Sequence, residues 1–136
     1  WARRELGLRE GDRALLVERR RWVDDALATW ATSYVRPDVA PGLERLMGPD
    51  GALYQVLTAG YDLEPRRAWS RCEFEVASEA VARHLELRGR DHVSVVRGRL
   101  DCARRGVPIE AAVTYNRMDV LNIVYEFGAP SPEEPT

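Results

Sequence analysis

The chain has 136 residues, 45% of them hydrophobic and 31% charged, with a formal net charge of −2. This length supports one domain with one core, the charge content excludes a membrane-embedded protein, and the missing basic excess argues against direct contact with duplex DNA. All 20 basic residues are arginine, which excludes a Schiff-base lysine.

The chain opens at Trp1 with no initiator methionine, and a piece of a longer protein is expected. Alternation over about Arg13 to Val23 predicts a strand with Leu15, Val17, Arg19, Arg21 and Val23 on one face. Asp24-Asp25 reads as a turn, and a second strand over about Ala28 to Val35 completes a hairpin ended by Pro37. A helix is expected from about Asp38 to Met47, stopped by Gly48-Pro49. After a turn at Asp50-Gly51, Leu53, Val56 and Leu57 predict a second short helix, stopped by Gly60.

Extended pattern returns from about Arg67 to Val76, with Trp69, Arg71, Glu73 and Glu75 opposite Ser70, Cys72, Phe74 and Val76. Ser78 is a plausible N-cap for a helix over Glu79 to Leu87, with Gly89 as its C-cap. Three strands close the chain: about His92 to Asp101, a turn at Arg104-Arg105-Gly106, about Val107 to Arg117, and Asn122 to Phe127. Residues 129–136, rich in proline and acid, read as a disordered tail. The expected fold is α+β, one antiparallel sheet with a few flanking helices packed on one face, over residues 1–128.

Cys72 and Cys102 match no metal or redox spacing and read as free thiols, and neither His84 nor His92 pairs with them as a ligand set. No metal and no cofactor is expected. There is no Ser-His-Asp, Cys-His or glycine-rich phosphate-loop context, so no catalytic residues are assigned.

Several motifs, taken in order, resemble the UTRA domain of the HutC branch of GntR transcription regulators. They are Leu6-Gly7, then Arg19-Arg20-Arg21 at the end of the first strand, Asp24-Asp25-Ala26-Leu27 at its turn, and Thr32-Ser33-Tyr34. Ala52-Leu53-Tyr54 stands where the family has Ser-Leu-Tyr, and Gly106-Val107-Pro108-Ile109-Glu110 followed by Asn116-Arg117-Met118-Asp119 forms the last signature. The likeness spans about residues 6 to 128. It implies a chorismate lyase-like fold and a non-enzymatic, cytoplasmic effector-binding and dimerisation domain. The partners it implies are a small-molecule effector, a second copy of the chain, and operator DNA reached only through an N-terminal winged helix-turn-helix outside this sequence. Two alternatives share the fold: a chorismate lyase-type enzyme, and a dimerisation module with a vestigial pocket.

Arg19 and Arg21 share a mostly apolar face, where two charges are costly unless paired or bound to an anion. Guanidinium forks suit carboxylates and phosphates, so one reading is an anion clamp, and the other is pairing with Glu73 or Glu110. The resemblance favours the clamp and adds Ala31, Ala52, Tyr54, Glu110, Thr114 and Asn116 to the effector site. Glu110 would accept hydrogen bonds from the ligand or pair with an arginine, and Tyr54 starts a helix or fills the core. Arg97 and Arg99 read chiefly as cross-strand charge pairs. Trp22, Trp30 and Trp69 read as core or dimer-interface residues. Where the family often has an acid, a serine and a proline, this chain has Ala31, Ala52 and Leu27, and Asn116 replaces a tyrosine. Fewer donors suit a polyhydroxylated sugar poorly, which points to a less polar carboxylate or another metabolite with one anionic end.

Overall fold

The computed structural model describes residues 1–48, 52–89, 91–124 and 128. Five strands carry the fold: β1 (Leu15–Val23), β2 (Ala26–Val35), β3 (Pro65–Val76), β4 (His92–Cys102) and β5 (Pro108–Arg117). Four short helices accompany them: α1 (Ala2–Glu5), α2 (Leu43–Leu46), α3 (Leu53–Tyr61) and α4 (Glu79–His84). The sheet order is β1-β2-β5-β4-β3, and every neighbouring pair is antiparallel. Thus two hairpins, β1-β2 and β4-β5, meet at a β2–β5 seam, and β3 forms the far edge.

The turn between β1 and β2 consists of Asp24 and Asp25, at φ 47° and 63°. Two left-handed residues make the tight connection whose twist matches a hairpin, and aspartate tolerates that conformation better than most residues. One extra residue then sits in β2, because Arg21 pairs with Thr29 while Trp22 pairs with Leu27. This bulge lies in β2, opposite the end of the edge strand β1.

Register divides the side chains between two faces. Val17, Arg19 and Arg21 on β1 align with Ser33, Ala31 and Thr29 on β2, and the last three with Ala112, Thr114 and Asn116 on β5. The opposite face carries Trp30, Tyr115 and Val95. Each face has its own cluster: α2 and α3 bring Leu43, Leu53 and Leu57 against Val35, Leu15 and Val17. On the other side α4 brings Val81 and Leu85 against Leu27, Trp30, Val93, Val95 and Tyr115. The expectation of helices on one face is therefore corrected. Both faces of β2 alternate apolar residues, so each face needs its own cover.

The local helix boundaries also differ from those read in the sequence. The helix expected over Asp38 to Met47 forms only over Leu43–Leu46. Pro41 disfavours a helical Ala40, and Gly42 sits at φ 72° just ahead of the first turn. Beyond the expected stop at Gly60, α3 runs one residue further and ends on Asp62 at φ 49°. Gly60 serves packing instead: a Cβ there would lie 3.1 Å from Leu46 Cδ1 of α2.

Ser78 caps α4 as expected, accepting from Val81 N at 3.3 Å. The helix stops at His84, not Leu87, because Glu86 takes the left-handed position at φ 56°. Leu87 N then donates to Ala82 O and Glu86 N to Arg83 O, the bond pair of a Schellman motif. Gly89 has no part in that cap. Helix α1 was not anticipated; its four residues show no apolar period. Residues 122–124 of the expected last strand are not in a strand, and its remainder, the Asp50-Gly51 turn and the 129–136 tail lie outside the described residues.

Leu57 is fully buried between α3 and the sheet. Leu57→Ala should lower unfolding stability by about 2–5 kcal/mol, read as a reduced denaturation midpoint with an unchanged slope.

Candidate functional site

A cleft of about 710 Å³ opens over the β1–β2–β5 side of the sheet. Its floor follows from the register: Ala31 lies between Arg19 and Thr114, and Thr29 between Arg21 and Asn116. Ala52, at the N-terminal boundary of α3, lines one wall, and Leu121 another. Arg20, Glu18 and Trp22 reach the cleft from the edge strand. A smaller cavity of about 440 Å³ lies beside α4 against Arg83 and Leu87 and touches none of the effector-site residues selected in the sequence.

Arg19 is the most constrained member of the cleft. Its Nη2 donates to Ser33 Oγ at 2.9 Å and lies 3.9 Å from Glu110 Oε1. Ser33 is fully buried and Glu110 nearly so. The pair thus holds one side of the guanidinium beneath the cleft floor. Arg19 Nε is also buried, with no hydrogen-bond partner among the described residues. An unmet buried donor costs about 1–3 kcal/mol, so this nitrogen favours an incoming acceptor. Of the two carboxylate partners expected for Arg19, Glu110 is one, and Glu73 instead pairs with Arg97.

Asn116 is fixed at both ends of its amide. Thr29 Oγ1 donates to Asn116 Oδ1 at 2.9 Å, and Asn116 Nδ2 donates to Ser94 Oγ at 3.0 Å. One amide N–H remains beyond those two bonds. A tyrosine at this position would project further from the strand, so asparagine leaves a deeper and neutral floor.

Of the residues selected in the sequence, the cleft brings together Arg19, Arg21, Ala31, Ala52, Thr114 and Asn116. Glu110 touches it only through Arg19. Tyr54 is exposed and stands outside the lining, its hydroxyl 3.5 Å from Pro65 O. Arg97 and Arg99 lie on the opposite face, where Arg97 donates to Glu73 at 2.8 Å and Arg99 pairs with Asp101 and Glu5. Trp30 packs on that face too, stacked between His84 and Tyr115, with Nε1 donating to Glu18. Trp22 is exposed and lines the cleft, so it is not the core residue that the sequence suggested as one alternative.

Ser33, Thr29 and Ser94 were missed as site-supporting residues, although strand parity with Ala31 already placed the first two on the right face. Leu121 carried no sequence signal, since only the chain's path after β5 brings it over the cleft.

The family model of the UTRA domain matches residues 1–121. The chain belongs to the UTRA domain family. The ligand-binding domain of a GntR-family transcriptional regulator from Bordetella bronchiseptica is 17% identical, with 93% of this chain and 81% of that one covered at a TM-score of 0.83. The PhnF C-terminal domain is 21% identical, with 92% and 78% covered at 0.81. A GntR-family transcriptional regulator from Enterococcus faecalis V583 is 21% identical, with 92% and 88% covered at 0.78. At such identities the structural likeness establishes the α+β fold. The comparison with curated proteins finds no match.

The segment that brings Leu121 to the cleft is braced by charge. Arg117 donates from Nε and Nη2 to the two oxygens of Asp119, and Leu121 N donates to Arg117 O. Those side-chain hydrogen bonds, foremost among the causes, hold the Asp119 carboxyl below its ordinary value. A carboxyl lowered on folding stabilises above its unfolded pKa, and that contribution fades as pH falls through the folded one. Asp119→Asn should therefore be less stable than the parent at about pH 6, and the difference should vanish at about pH 2, as read by denaturant titration.

Proposed function

We propose that this UTRA domain is the effector-binding and dimerisation part of a cytoplasmic GntR-type regulator of the HutC branch. It binds a small anionic metabolite and passes the signal to operator DNA through a winged helix-turn-helix outside this sequence. The observation that carries the reading is the convergence of Arg19 and Arg21 on one cleft, with Arg19 keeping a buried, unpartnered N–H. Guanidinium donors take carboxylates and phosphates with good geometry, while the Thr29 and Thr114 hydroxyls and the Asn116 amide orient the rest of a ligand. The groups gathered there bind and orient, and the reading is of a sensor, not a catalyst.

The walls narrow the ligand further. Ala31, Ala52, Trp22 and Leu121 are apolar, and Asn116 and Thr29 already spend part of their capacity on each other. This favours a carboxylate with one anionic end and a largely apolar body over a sugar phosphate, whose hydroxyls would go unpaired. Binding shifts DNA affinity only to the extent that the ligand prefers one arrangement of the regulator over the other.

A thermal-shift screen against aliphatic and aromatic carboxylates and sugar phosphates tests the proposal. A ligand at about 100 times its Kd adds about 2.7 kcal/mol and raises the midpoint by several degrees. The expected result is a shift with a carboxylate that Arg19→Ala abolishes. A panel without any hit, or a shift indifferent to Arg19→Ala, sinks the reading.

A further inference from the structure

Among the described residues, two edges of the sheet, β1 and β3, lie open at the ends of the strand order β1-β2-β5-β4-β3. An open edge presents a row of unpaired backbone donors and acceptors, and proteins either blunt it or pair it. The β3 edge is long, spanning the 12 residues Pro65–Val76, and leaves Phe74 58% and Val76 48% exposed. Its charges are ordered along the strand: Arg66, Arg67 and Arg71 come first, Glu73 and Glu75 after. A strand that is basic at one end and acidic at the other complements an antiparallel copy of itself. Edge β1 lacks this property, because its Arg19-Arg20-Arg21 block sets arginine against arginine for a two-fold axis at any of those three residues.

We propose that the dimer forms by antiparallel pairing of β3 with β3 of a second copy, with the two-fold axis at Cys72. The proposal deepens the dimeric reading above by naming the edge and its register. Beyond the bulge between Arg67 and Trp69, β3 runs in regular register with β4, and Cys72 is the midpoint of Trp69–Glu75. Centring on Cys72 sets Arg71 directly opposite Glu73 of the other copy, twice, and Trp69 opposite Glu75. Moving the axis to Arg71 opposes two arginines, and moving it to Glu73 opposes two glutamates. Directly opposed like charges destabilise a ladder, so charge favours the Cys72 register over these two neighbours. Arg97 already holds Glu73 from β4 at 2.8 Å, so each glutamate would lie between two guanidinium groups. Phe74, opposite Ser70 of the other copy, would pack beside the two Cys72 side chains. Closure by a two-fold leaves no β3 edge free for further growth.

The register has a chemical signature. Opposed residues of an antiparallel pair have Cα atoms about 4.5–5.5 Å apart, within disulfide reach. Cys72 is a half-buried free thiol, whereas Cys102 is buried. Sedimentation of the 136-residue chain should show a dimer, and mild oxidation or a short bismaleimide should link it covalently. Cys72→Ser should remove the link and keep the dimer, while Cys102→Ser should change neither. Glu73→Arg and Arg71→Glu should each be monomeric alone and form a one-to-one heterodimer when mixed, which also shows that both variants fold. A monomeric parent overturns the proposal. A dimer that neither links through Cys72 nor responds to the charge exchange overturns this interface while leaving the dimeric reading standing, and neither result bears on effector binding.

Discussion

The pairing of β2 with β5 is the constraint on which the rest of the structure depends. It joins two hairpins that are far apart in the chain, and its register runs from Thr29 opposite Asn116 to Val35 opposite Glu110. That register decides which side chains share a face. On one side it aligns Ala31 with Thr114 and buries Ser33 beneath Arg19. On the other it stacks Trp30 on Tyr115, with ring centroids 5.3 Å apart. A slip of one residue would exchange the two faces and dissolve both the cleft and the α4 cluster.

The cleft combines a charged edge with a neutral floor. Three consecutive arginines on an edge strand can all approach one volume, because side chains of either parity can bend around an unpaired edge, which no central strand allows. Burial then separates their roles. Arg19 is drawn inward by Ser33 and Glu110, which orders it, while Arg20 and Arg21 stay at the rim. Ordering a guanidinium before the ligand arrives reduces the entropy lost on binding. The Thr29–Asn116–Ser94 chain does the same for the floor, fixing an amide that would otherwise rotate.

Helix ends in this chain are set more by single backbone positions than by apolar period. Gly42, Asp62 and Glu86 each take a left-handed φ beside a helix end. Two of these three are not glycine, so the usual sequence marker for a stop pointed to Gly60 and Gly89 instead. Packing explains why the marker failed: Gly60 is needed where α3 approaches Leu46, and the Schellman bonds of α4 hold Glu86 in place.

Strand positions, the Asp24-Asp25 hairpin, the Ser78 cap and the common face of Arg19 and Arg21 were legible in the sequence, because each depends on neighbours within a few residues. Parity and charge offered Glu110 as one of two partners for Arg19, and the ordered motifs added the family and with it Asn116. The tertiary structure alone decided that helices cover both faces, that Tyr54 stands outside the cleft while Trp22 and Leu121 line it, and that Arg97 and Arg99 lie on the opposite face, paired with Glu73, Asp101 and Glu5. Those outcomes rest on strand order and on the chain's path after β5. Each is a relation between segments distant in sequence, and periodicity within one segment carries no record of it.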